Sequence, residues 1–190
     1  MTFLCSLIFI IIIHELGHLW AAKLCKCGVK VFSVGFGRPL FQFSIGKTIY
    51  QFAPILLGGY CQLQGELEYS RSKYAFTNKT YSQKVFISLA GIGMNVISGL
   101  IAYGLFIFTD NLTCLMFSYY SAIIGISNLL PIPGLDGSYP IAFLFEKKLG
   151  KKKAYLILSS IFKKWMLWIM ILNFLCIPYL IWMIMKGQIL

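Results

Sequence analysis

Acid is what this chain has least of. Six Asp and Glu stand against 17 Lys and Arg among 190 residues, 12% of the chain is charged, and histidine occurs twice, at His14 and His18. So little charge excludes an ordinary soluble domain, in which about a quarter of residues are charged. The six cysteines (Cys5, Cys25, Cys27, Cys61, Cys114, Cys176) lack the paired spacing of a disulfide framework. Cys25-x-Cys27 has no second pair with which to build a structural metal site, although lipidation of a juxtamembrane cysteine stays open. The net charge of +11 comes without a basic-aromatic module, which argues against nucleic acid as a partner. The first apolar run lacks the basic n-region and small-residue cleavage site of a signal peptide.

What is present is apolar length. Hydrophobic residues make up 58% of the chain, with a mean hydropathy of +0.77. Runs over 2–24, 85–108, 112–130 and 165–185 reach or approach the roughly 20 residues needed to cross the hydrocarbon layer, the last with Pro178 as a tolerated kink. The fold class this predicts is an all-α polytopic membrane protein of about four transmembrane helices. A small β-hairpin or sheet is expected between helices 1 and 2, within a single domain over 1–190. Nine Lys/Arg fall from Lys23, at the end of the first run, to Lys84, just before the second, and seven between the third and fourth; the connection at Asp110-Asn111 has none. By the positive-inside rule the loops over 25–84 and 146–164 are cytoplasmic and both termini are outside. The basic runs also suit contact with anionic lipid of the bilayer.

Both histidines fall inside the first run, in His14-Glu15-Leu16-Gly17-His18. Positions i and i+4 of a helix share a face, so two imidazoles can reach one metal while Glu15 lies beside it as a base. Titratable groups at membrane depth are costly and are normally retained for function. Catalytic zinc takes three protein ligands and keeps a fourth position open. With no third histidine, the third ligand must come from Glu66, Glu68, Asp110, Asp136 or Glu146. Asp110 falls at the far side of the membrane. Glu66 and Glu68 read as solvated charges of a polar stretch, and Glu146 has local lysines as partners. Asp136 follows the third run in Asn128-Leu-Leu-Pro-Ile-Pro-Gly-Leu-Asp136-Gly137, where two prolines and two glycines break the helix near the inner boundary. Irregular backbone at that depth must be protein-buried or line a wet cavity, which favours Asp136 as the third ligand over a plain helix-ending turn.

Taken together, His14-Glu15-x-x-His18 and Asn128-x-x-Pro131-x-Pro133-x-Leu135-Asp136-Gly137 resemble the site-2 protease family of intramembrane zinc metalloproteases. Phe32-Ser-Val-Gly-Phe-Gly37, Gly58-Gly59-Tyr60 with Gly65-Glu66, Ala90-Gly91-x-x-x-Asn95, and Glu146-Lys147 with Gly150-Lys151 resemble its bacterial branch, which acts in regulated intramembrane proteolysis. The resemblance implies one Zn2+ on His14, His18 and Asp136, and Glu15 as the residue that activates water. Asn95 and Asn128 correspond to asparagines that hold substrate or stabilise the reacting carbonyl. It implies a single-pass transmembrane substrate and a place in the bacterial inner membrane, with the site toward the cytoplasm. Ile92 and Leu56 stand where the family usually has proline. The branch usually carries a PDZ module between its second and third spans, whereas Asp110-Asn111 leaves a form without one.

Alternation in Phe41–Ile45 and Thr48–Phe52 about Gly46-Lys47 predicts a hairpin, and the glycines at 35, 37, 58 and 59 predict tight turns. An exposed sheet edge can take an extended peptide by strand addition. The segment with Gly58 and Gly59 is accordingly a candidate substrate-binding element; a cytoplasmic packing hairpin is the alternative. Other readings of the whole chain also stand: a prenyl-protein type protease using Glu146, a scaffold or regulator that keeps zinc without turnover, or a metal transporter. Homo-oligomer formation is left open.

Overall fold

The computed structural model describes residues 2–66, 70–132 and 135–150, together with positions 153, 156, 157, 160, 161 and 164. The expected fourth span at 165–185, Glu68 and Cys176 lie outside the described residues.

Three helices are long and apolar enough to cross a membrane. Helix α1 (Thr2–Leu24) is apolar almost throughout, as its sequence requires. Helix α2 (Tyr81–Thr109) opens on a capping box, in which the Thr80 side chain accepts from Gln83 N–H and the Gln83 side chain accepts from Thr80 N–H. It closes on Asp110 in the left-handed conformation (φ 50°). The next residue, Asn111, caps helix α3 (Leu112–Leu129) by accepting from Thr113 N–H. Two residues thus end one helix and begin the next. Helix α2 packs between α1 and α3. Small residues allow the approach: a Cβ on Gly17 would fall 2.5 Å from the Ala90 carbonyl oxygen, and Gly99 and Gly125 face Ser121 and Asn95.

Between α1 and α2 lies more β-structure than a hairpin. Strands β1 (Val29–Phe36), β2 (Phe41–Ile45), β3 (Thr48–Phe52) and β4 (Ile55–Leu63) form one sheet in the order β2-β3-β1-β4. The β2–β3 hairpin has the register Ile45↔Thr48 across Gly46-Lys47. Gly46 has φ 62° at the first turn position, where a type II′ turn calls for glycine. Strand β1 pairs parallel to β3 and antiparallel to β4. The observed class is therefore mixed helix and strand rather than all-α. Gly58 and Gly59 lie within strand β4 and not in a turn. Their missing side chains allow close contact, since a Cβ on Gly59 would meet Glu15 Cγ at 2.9 Å and one on Gly58 the Phe36 ring at 2.6 Å.

A fourth described helix, α4 (Ser138–Leu149), follows the Pro/Gly-rich loop. The core joins α1, the sheet, the start of α2 and α4 through Leu19, Ala22, Phe32, Leu63, Phe76, Ile87 and Phe143. Glu146 on α4 has a partner far away in sequence. It accepts at 2.5 Å from Lys84, which is 1% exposed at the start of α2 and also lies over the Phe143 ring. A buried ammonium is costly without a carboxylate, so this pair pins α4 to α2.

Candidate metal centre

His14 and His18 stand one turn apart on α1, with ring centroids 4.9 Å apart. The loop after α3 brings Asp136 against them. His14 Nε2 and His18 Nε2 lie 3.0 and 3.2 Å from Asp136 Oδ2 and 3.3 Å from one another. The loop is held by local bonds: Gly137 N–H donates to the Asn128 carbonyl, and Tyr139 N–H to that of Asp136. A Cβ on Gly137 would fall 2.0 Å from the Leu129 carbonyl oxygen, so glycine is needed where the chain folds back onto α3.

Helix α2 supplies the other wall. Ile87, Gly91 and Asn95 recur every four residues and so share a face. His18 Nδ1 donates to the Ile87 carbonyl oxygen at 2.8 Å. Asn95 Nδ2 lies 3.1 Å from His14 Nδ1. Gly91 leaves the space between, where a Cβ would come within 2.3 Å of His18 Nε2 and 2.8 Å of His14 Nε2.

This donor set fits zinc. A carbonyl only accepts, so the Ile87 bond keeps a proton on His18 Nδ1 and, in the neutral ring, a lone pair on Nε2. That lone pair lies 3.2 Å from the Asp136 carboxylate, two electron-rich atoms that a cation between them would hold together. For ligand bonds of roughly 2.0–2.2 Å, tetrahedral coordination separates neighbouring ligand atoms by about 3.3 Å, close to the separations seen here. His14, His18 and Asp136 are the one such group among the described residues. Burial alone would raise the Asp136 carboxyl, but the facing imidazoles outweigh it and hold it down to about 2.

A cavity of about 780 Å³ opens onto the cluster, lined by Glu15, Gly58, Gly59, Asn128 and Asp136 among others. Glu15 is 8% exposed. Asn128 turns its amide nitrogen back to the Ile124 carbonyl. Asn95 does not line this cavity; it is fully buried behind His14. Glu146, paired with Lys84, lies outside the metal cluster.

Glu66 departs from its expected role as a solvated charge. It lines the cavity, accepts from Leu63 N–H at 3.0 Å and from the Tyr139 hydroxyl at 3.0 Å, and so ties β4 to α4. Burial pushes its carboxyl up, opposed by those two bonds. Gly65-Glu66 belongs to the resemblance to the bacterial branch, but its polar surroundings gave no sign that the carboxylate is buried. The four-residue spacing of Ile87, Gly91 and Asn95 was visible, but its meaning required α1 beside it.

Comparison with known proteins finds a peptidase family and relatives named as zinc metalloproteases. The model of peptidase family M50 matches residues 2–115. A Borreliella burgdorferi protein named "Putative zinc metalloprotease" is 41% identical over 128 residues, covering 62% of this chain and 29% of that protein. The Salmonella typhimurium "Regulator of sigma-E protease RseP" is 37% identical over 109 residues, covering 55% of this chain and 24% of its own length. The chain thus spans less than a third of the length of these relatives.

Proposed function

The chain belongs to peptidase family M50, and on that footing we propose that it is a zinc-dependent intramembrane endopeptidase. Its substrates in this reading are single-pass membrane proteins or membrane remnants, cut near the cytoplasmic face. The observation that carries the proposal is the meeting of His14, His18 and Asp136 within 3.0–3.3 Å, beside Glu15, at a cavity walled by β4.

His14, His18 and Asp136 would hold the metal, which when bound supplies Lewis acidity that polarises a carbonyl and acidifies water. Glu15 takes the water proton and returns it to the leaving amine. Asn128 lines the cavity, and in this reading the scissile carbonyl accepts the amide hydrogen left over from its bond to the Ile124 carbonyl. A helical substrate must be unwound first, because its carbonyls are engaged in its own hydrogen bonds. Strand β4 pairs with β1 on one side, and its other edge has no strand partner among the described residues. Gly59 brings that strand onto Glu15, so a peptide added to the edge is held extended beside the base. The basic loops and the bacterial sources of the relatives support a bacterial inner-membrane location with the site toward the cytoplasm.

The test is a trap. Glu15→Gln should keep zinc and lower cleavage by about 10²–10⁴-fold, the usual share of general acid–base catalysis. In cells it should accumulate and co-purify uncut membrane proteins. If no membrane protein differs between Glu15→Gln and parent, the protease reading fails.

A further inference from the structure

Oδ1 of Asn95 is the one buried side-chain polar atom without a hydrogen-bond partner among the described residues. The residue itself is firmly held. Its backbone carbonyl accepts from the Ser121 hydroxyl at 2.9 Å and the Ser98 hydroxyl at 3.1 Å. Gly125 of α3 closes on its Cβ. Its amide nitrogen lies 3.1 Å from His14 Nδ1.

The chemistry of that contact depends on where His14 carries its proton. An amide nitrogen only donates, so the contact requires a lone pair on His14 Nδ1 and places the ring proton on Nε2, facing Asp136. A ring in that tautomer cannot ligate through Nε2. Ligation moves the ring proton to Nδ1, which then needs an acceptor. A half turn of the Asn95 amide brings the orphaned Oδ1 to that place. Nδ2 is then unpaired instead of Oδ1, so the gain lies in the bond to His14. His18 has no such freedom, because the Ile87 carbonyl holds it in the ligating tautomer throughout.

We infer that Asn95 is a positioning residue for His14: it donates to Nδ1 when Nε2 keeps its proton, and accepts from Nδ1 when His14 ligates a metal. The inference rests on the zinc reading above and assigns Asn95 to the metal rather than to the substrate. Residues that accept from the second nitrogen of a ligating histidine set ring orientation and basicity, and their loss weakens the metal about 10–100-fold.

The experiment compares parent, Asn95→Leu and Asn95→Asp as full-length, detergent-solubilised proteins. Zinc affinity is read by competition with a chromophoric chelator, and ligand geometry by the visible spectrum of the Co2+-loaded protein. Leucine keeps the bulk and removes the polar atoms, so zinc should weaken about 10–100-fold and the Co2+ bands should shift. Aspartate keeps the acceptor, so it should hold zinc within a few-fold of parent and restore the parental bands, whether or not the leucine variant folds. Parental zinc affinity in Asn95→Leu overturns the inference, as does an Asn95→Asp protein that folds but binds zinc poorly. A parent that binds no zinc overturns the zinc reading and this inference with it.

Discussion

Replacing Gly91 by alanine tests the metal centre without touching a ligand. On helix propensity alone the change is favourable by about 1 kcal/mol. The added methyl, however, would lie 2.3 Å from His18 Nε2 and 2.8 Å from His14 Nε2. The first distance is close to a zinc–imidazole bond of about 2.0–2.1 Å, so carbon takes much of the volume that a metal needs. To regain a contact of roughly 3.5 Å, His18 would have to withdraw by about 1.2 Å, against its bond to the Ile87 carbonyl. Loss of a residue that only supports a ligand costs about 10–100-fold in metal affinity, and here two ligands are themselves displaced. Zinc affinity should therefore fall by at least about 100-fold, or roughly 2.8 kcal/mol. Chelator competition and the metal content of purified protein read this directly. Gly93→Ala is the control, since a Cβ there meets nothing within 4 Å on the same helix; it should keep zinc and gain up to about 1 kcal/mol. A Gly91→Ala protein with parental zinc affinity would refute the placement of the metal between the two imidazoles.

Glu146→Ala should lower stability by about 3–5 kcal/mol, because it takes the carboxylate from a buried lysine. It should still bind one zinc at saturation, whereas Asp136→Ala should not; thermal unfolding with metal analysis separates the two. Burial raises Glu66 above its ordinary value of 4.5, so its contribution to stability is full below that pH and lost as pH rises through the raised value. Melting temperatures taken upward from pH 4.5 should fall less for Glu66→Gln than for parent, and equal slopes would contradict the assigned burial. Burial pushes the Cys27 thiol up to about 12 and raises Cys61 too. At pH 8 both should resist iodoacetamide in folded protein and react after unfolding, read by mass spectrometry; rapid labelling of the folded form counts against it.

The spans over α1, α2 and α3 were legible because uninterrupted apolar length is a local property, and the β2–β3 hairpin because its alternation and Gly46 are local too. The parallel pairing of β1 with β3 was not, since no short-range signal says which strands meet after a crossover. Helix α4 was hidden by Pro140 and by the basic run into which it leads. Glu66 and Glu146 have partners that local sequence could not show. Glu66 looked solvated in its polar stretch and Glu146 looked paired with adjacent lysines, yet Tyr139 and Lys84 lie 73 and 62 residues away from them. The two glycines of β4 were misread because glycine marks close approach as well as turns. In the metal cluster, elimination among so few acids was enough to propose Asp136.

The two-residue join between α2 and α3 makes the described part of the molecule one-sided. Each of its residues is already committed, Asp110 to ending a helix and Asn111 to starting one, so nothing can be spliced there without unmaking both caps. Among the described residues, that join is the whole of the connection at that end. The sheet and α4 are gathered at the opposite end, so in the proteolytic reading proposed above selection among substrates is left to that end and to the flanks of the helices.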